Sequence, residues 1–126
     1  MKYIGIIGTR RRNSIEAFKR IKEKFFELYQ EGDTIVSGGC PKGGGRFAEK
    51  LAIENDIPML IFYPDWINNT CRDDLIRNNA IAKQSDVLIA CVAYDRTGET
   101  ENTIKNFIKK YENETTVNGV KLHIIE

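Results

Sequence analysis

Half of the glycines in this 126-residue chain, five of ten, fall within the eight positions 38–45. They stand in the run Ser37-Gly38-Gly39-Cys40-Pro41-Lys42-Gly43-Gly44-Gly45-Arg46. Glycine has no Cβ, so backbone amides in such a run can approach a ligand closely. Where the run opens a helix, the unpaired N–H groups of the first turn face an anion. With Lys42 and Arg46 alongside, a phosphate is the natural guest, held by the amides of residues 43–46 together with Arg10 or Lys42. Three further segments carry chemistry-bearing residues: Gly8-Thr9-Arg10-Arg11-Arg12-Asn13, Asp65-Trp66 and Asp95-Arg96-Thr97-Gly98-Glu99-Thr100. Arg10 is expected at the ligand, while Arg11 and Arg12 read equally well as solvated charge. Trp66 reads either as a packed lid or as a surface on which a base stacks. Gly5-Ile6-Ile7-Gly8 is not a GxGxxG fingerprint, and the glycine run lacks the GK[ST] ending of a Walker A loop.

Cys40, inside the glycine run, invites a nucleophile reading. The single histidine, His123, sits far along the chain, and a Cys–His pair must be within hydrogen-bond reach. Cys40 is therefore read as a small loop residue, Cys91 as core and His123 as an ordinary strand residue. No cluster of ligand types has metal-binding spacing, so neither metal nor cofactor is expected.

These segments need a frame that brings them together. Tyr3–Ile7 is a continuous apolar stretch that reads as a buried strand, and Thr34–Ser37, Pro58–Tyr63, Asp86–Val92 and Val120–Ile125 read as four further strands. Between them lie stretches of helical period. Asn13-Ser14-Ile15-Glu16 resembles a capping box with Asn13 as N-cap, and Phe18, Ile21, Phe25 and Leu28 then share one face, before Gly32-Asp33. The glycine run feeds a helix with Phe47, Ala48, Leu51 and Ala52 inward. Residues from Pro64 to about Cys71 read as irregular, and a helix to about Lys83 follows. Thr100 is placed as the cap of a last helix burying Ile104, Phe107, Ile108 and Tyr111, and Asn118-Gly119 as a turn. Strand and helix alternate throughout. The pattern predicts one α/β domain over residues 1–126, a five-stranded parallel sheet in the order 3-2-1-4-5 with helices on both faces. In such a sheet the ligand lies beyond the carboxyl ends of the strands, where strand order reverses, and all four unusual segments follow strands.

Composition narrows the class. No stretch approaches the ~20 apolar residues of a membrane span. Three widely spaced cysteines without a CxxC pair argue against a disulfide framework and for a reducing cytoplasm. The net charge of +1 conceals an asymmetry, +5 over residues 1–50 and −4 over 51–126. The acidic half argues against a long nucleic-acid footprint.

Taken in order, these motifs resemble the SLOG superfamily, the Rossmann-like group that includes the LOG phosphoribohydrolases and the DNA-processing protein DprA. Small YpsA-related members are most similar. The resemblance rests on Gly8-Thr9-Arg10, on Ser37 to Glu49, on Asp65-Trp66, on Arg77-Asn78 and on Gly98-Glu99-Thr100-Glu101-Asn102-Thr103. It implies a nucleotide or nucleotide-derived ligand, in a sensor or a nucleotide-processing protein, and a possible homo-oligomer. Its site would comprise Gly8, Thr9, Arg10, Ser37, Gly38, Gly39, Lys42, Gly43, Gly44, Gly45, Arg46, Asp65, Trp66, Arg77, Asn78, Gly98, Thr100 and Thr103. The enzyme alternative is cleavage of the N-glycosidic bond of a nucleoside 5′-monophosphate, with Glu99, Glu101 or Glu49 as the carboxylate. A second alternative is single-stranded DNA binding. Relatives often read G-A-D-R where this chain has Gly43-Gly44-Gly45-Arg46, and the hydrolases carry a PGGxGTxxE loop where this chain has one glycine. Both differences rank binding ahead of hydrolysis.

Overall fold

The computed structural model describes residues 1–39, 43–63, 75–112 and 121–126, with the backbone alone at Leu75, Tyr111 and Glu112. Five strands, β1 (Tyr3–Gly8), β2 (Thr34–Ser37), β3 (Met59–Ile61), β4 (Val87–Cys91) and β5 (Leu122–Ile125), form one parallel sheet ordered β3-β2-β1-β4-β5. Four helices alternate with them: α1 (Ile15–Leu28), α2 (Gly44–Asn55), α3 (Leu75–Gln84) and α4 (Glu99–Glu112). The chain is thus a Rossmann-like α/β fold with the expected strand order.

Side-chain alternation along each strand divides the core in two. Ile4, Ile6, Ile35, Ile89, Cys91 and Ile125 face α1 and α2, meeting Phe18, Ile21, Phe25, Phe47 and Leu51. The Phe18 and Phe47 rings lie 5.4 Å apart and join the two helices. Ile7, Val36, Leu88, Ala90 and Val92 face the other way, onto Ile81 and Ala82 of α3 and Ile104 and Phe107 of α4. Each such side chain contributes about 1.5–3 kcal/mol on burial. The register of the central pair sets Gly8 beside Cys91, so β1 and β4 finish level at the end where the ligand is expected.

Several local expectations need correction. The N-cap of α1 is Ser14, whose hydroxyl accepts from the Ala17 amide at 3.1 Å. Asn13 is turned away to accept from the Gly43 amide at 3.0 Å. That long-range bond has no signature in local spacing. Helix α1 ends at Leu28, with Tyr29 as C-cap, ahead of Gly32-Asp33. Helix α4 begins at Glu99, so Thr100 lies inside its first turn and is not its cap. Ile108 is partly exposed on α4, whereas Ile104 and Phe107 are buried. Strand β3 is three residues long, shorter than Pro58–Tyr63. The irregular stretch from Pro64, the Asn118-Gly119 turn and the Tyr111 side chain lie outside what is described.

Candidate functional site

Strand order reverses between β1 and β4, because β2 and β3 lie to one side of β1 while β4 and β5 lie to the other. At the carboxyl ends of these strands is a cleft lined by Gly8, Gly38, Gly45, Arg77, Asn78, Glu99, Thr100 and Thr103, with Ile6, Ile7 and Ile81. Segments far apart in sequence therefore meet where ligands bind in open parallel sheets. The cleft encloses about 30 Å³, room for roughly two ordered waters.

Glycines bring the start of α2 to this cleft. A Cβ on Gly44 would stand 2.2 Å from the Gly8 nitrogen and 2.2 Å from the Ile7 carbonyl carbon. Only an unsubstituted Cα lets the helix rest on the end of β1. Gly43 precedes it at φ 73°, and a Cβ there would lie 2.5 Å from the Thr9 carbonyl oxygen. Position and conformation both demand glycine. The Ser37 hydroxyl, fully buried at the end of β2, donates to the Gly45 carbonyl at 3.4 Å and accepts from the Gly39 amide at 3.2 Å. Helix α2 has no side-chain cap and no acidic residue in its first turn. Its positive dipole end is thereby left without a local countercharge. The Gly43 amide, however, is taken by Asn13. Of residues 43–46, Gly45 lines the cleft, while Gly43, Gly44 and Arg46 do not.

The basic residues divide among different tasks. Arg77, 6% exposed, is the cation lining the cleft among the described residues. Its Nη1 donates to the Gly38 carbonyl at 3.2 Å and its Nη2 to Asn78 Oδ1 at 3.0 Å. Asn78 in turn donates to Asn102 Oδ1 at 3.4 Å, joining α3 to α4. Arg10 and Arg46 are exposed and do not line the cleft, and Lys42 lies outside the described residues. Arg11 is not idle surface charge. It forks onto Asp95, Nη1 to Oδ2 and Nη2 to Oδ1, both 3.0 Å, and reaches the Thr97 carbonyl and hydroxyl at 2.9 Å. The Arg11 guanidinium, with help from Thr97, holds the Asp95 carboxyl down at about 2. Arg12 is buried, donating to the Val92 carbonyl at 3.0 Å and the Glu126 carbonyl at 3.3 Å. The triple-arginine run is thus one exposed cation, one clamp across two loops and one buried brace.

The acidic candidates separate as well. Glu99 lines the cleft, half-buried at the start of α4. Glu101, in the first turn of α4, accepts from Arg96 Nε at 2.9 Å and Nη2 at 3.0 Å and does not line the cleft. Glu49 lies a turn into α2, half-buried and away from the cleft lining. Thr9 is buried, accepting from the Arg11 amide, and Gly98 turns the chain at φ 110° before α4. Thr103 donates to the Glu99 carbonyl at 3.4 Å within α4. Cys40, Asp65 and Trp66 lie outside the described residues. Cys91 is fully buried, and burial pushes its thiol up, away from nucleophilic chemistry.

This geometry defines a Rossmann-like α/β protein with a glycine-lined cleft at its topological switch point. No known protein family, curated protein or solved structure matches the chain. Among the described residues, no helix is long and apolar enough to cross a membrane.

Proposed function

We propose that the protein binds a nucleotide or nucleotide-derived ligand whose phosphate enters the switch-point cleft. The observation that carries this reading is the meeting of the uncapped first turn of α2 with buried Arg77 across Gly8 and Gly38. Helix amides and a guanidinium together suit a tetrahedral dianion. The small volume suits one or two phosphoryl oxygens replacing ordered water, with the remainder of the ligand lying outside. Titration calorimetry with AMP, CMP and ribose 5-phosphate tests the idea. Charge-assisted hydrogen bonds contribute about 1.5–3 kcal/mol each, so Arg77→Gln is expected to weaken binding roughly tenfold or more. Equal affinity in wild type and variant would remove Arg77 from the site.

One observation favours the hydrolase as a second reading: Glu99 lines the same cleft. N-glycosidic cleavage needs a carboxylate near the anomeric carbon and an activated water. Among the described residues Glu99 is the one carboxylate at the cleft, Glu101 being held by Arg96. Binding without turnover is the expected result when wild type is incubated with nucleoside monophosphates and free base is measured by chromatography. Base release that disappears in Glu99→Gln would establish the enzyme instead, since losing a general acid or base costs ~10²–10⁴ in rate.

A further inference from the structure

The switch-point cleft encloses about 30 Å³, enough for phosphoryl oxygens in place of ordered water, so the rest of a nucleotide needs a second surface. A recess of about 140 Å³ is lined by Arg11, Arg12, Ala93, Tyr94 and Asp95; its Arg11 wall meets the Thr97 carbonyl at 2.9 Å, two residues before Glu99 of the cleft. Its size class is that of a single aromatic ring, since a cavity of ~150 Å³ accommodates benzene. It lies in the two loops that follow β1 and β4, and the second of these leads directly into the first turn of α4, which lines the cleft.

The walls of the recess suit a heteroaromatic ring. Tyr94 is 85% exposed, so its ring is accessible to a ligand. The Arg12 guanidinium carbon stands 4.5 Å from the centre of its ring, and Arg12 is itself fixed by the Val92 and Glu126 carbonyls. The ring is therefore backed by a rigid cation while remaining open to solvent. Polar groups stand at its edge. Among the described residues Asp95 Oδ2 accepts one bond, from Arg11 Nη1, which leaves capacity for an exocyclic amine. The Arg11 fork holds Asp95 in place, so these groups are set before any ligand arrives.

We propose that this recess is a base subsite, in which one six-membered ring of a nucleobase stacks against Tyr94 while the phosphate of the same molecule lies in the switch-point cleft. The proposal rests on the nucleotide reading above and adds the part of the ligand that reading leaves unplaced. Tyr94, in this assignment, separates nucleotides from plain sugar phosphates.

Calorimetry with CMP, AMP, ribose 5-phosphate and cytidine, on wild type, Tyr94→Ala and Tyr94→Phe, tests the assignment. Wild type is expected to bind CMP and AMP about tenfold more tightly than ribose 5-phosphate, in line with the contribution of one stacked base. Tyr94→Ala should lose that preference and leave ribose 5-phosphate affinity unchanged, whereas Tyr94→Phe should keep the preference. Because Tyr94 is exposed and gives up only its contact with Arg12, the alanine variant should unfold within a few degrees of the wild-type temperature. Wild type without preference, or Tyr94→Ala with its preference intact, overturns the base subsite and leaves phosphate binding standing. Cytidine bound in a Tyr94-dependent way, with ribose 5-phosphate unbound, supports the subsite and overturns the phosphate reading. Failure of all four probes overturns both.

Discussion

A methyl group on Gly44 would come within 2.2 Å of the Gly8 amide nitrogen and the Ile7 carbonyl carbon, backbone atoms with no rotamer to change. Gly44→Ala must therefore push α2 away from β1, at about 1–3 kcal/mol or more. A lower denaturation midpoint together with lost phosphate binding is expected, and an unchanged midpoint would mean the helix start is free to shift. Gly38→Ala would meet the end of a side chain instead, Arg77 Nη1 at 3.1 Å, and is the milder change. A second residue-scale test concerns Asp95. Its carboxyl is held at about 2, below the ordinary 3.8, so the Arg11 clamp is complete above 3.8 and is released as pH falls through about 2. Carboxyl titration followed by NMR should show that midpoint, and Arg11→Ala should move it up toward 3.8. The value of glycine at the start of α2 was legible in the sequence, because clustering before a helix has few physical causes. The separate tasks of Arg10, Arg11 and Arg12 were not. Adjacent residues of one type share local propensity, and only the distant carbonyls and carboxylates they meet tell them apart.

Elements hold these residues through long-range ties that periodicity does not reveal. Asp33, just before β2, accepts from the Lys2 amide at 2.9 Å, from Lys2 Nζ at 2.6 Å and from the Gln30 amide at 2.9 Å. Burial pushes its carboxyl up, but the Lys2 ammonium and the two amides outweigh burial and leave it below 3.8. Such a depressed acid stabilises the fold above 3.8, and the contribution is lost as pH falls through the lower, folded value. Asp33→Ala removes the buried acceptor of the Lys2 and Gln30 donors and should cost about 1–2 kcal/mol near neutral pH. The gap between wild type and variant, read from denaturant midpoints, should narrow as pH drops below 3.8. A gap independent of pH would place the cost in packing and not in charge. Helix faces, by contrast, were readable: Phe18, Ile21 and Phe25 on α1 and Phe47, Ala48, Leu51 and Ala52 on α2 are all buried. Apolar spacing at a 3.6 period directly encodes burial. Helix ends were less so, since Asn13 and Ser14 are both good caps. Ser14 takes the role because Asn13 is claimed by Gly43.

For the whole molecule, alternation and right-handed crossovers specify a parallel sheet and leave few strand orders, of which the chain adopts β3-β2-β1-β4-β5. The switch-point cleft then follows from the strand order alone. Its lining does not: Arg77 and Asn78 are named in the sequence only through the resemblance, because the period of their helix carries no mark of chemistry. The cleft gathers the ends of β1 and β2 and the helices α2, α3 and α4. A ligand that binds across those elements cannot bind the unfolded chain, so its binding free energy adds to the stability of the entire fold. At a concentration a hundred times its dissociation constant, that addition is about 2.7 kcal/mol. For a chain of this length each kcal/mol moves the unfolding temperature by about 3–5 °C, so a rise of roughly 10 °C is expected with saturating nucleoside monophosphate. Ribose 5-phosphate at the same concentration should give a smaller rise, and ribose none. Calorimetric scans of wild type and Arg77→Gln with each compound read this directly. A rise with ribose equal to that with its phosphate would show that the cleft does not select for phosphate.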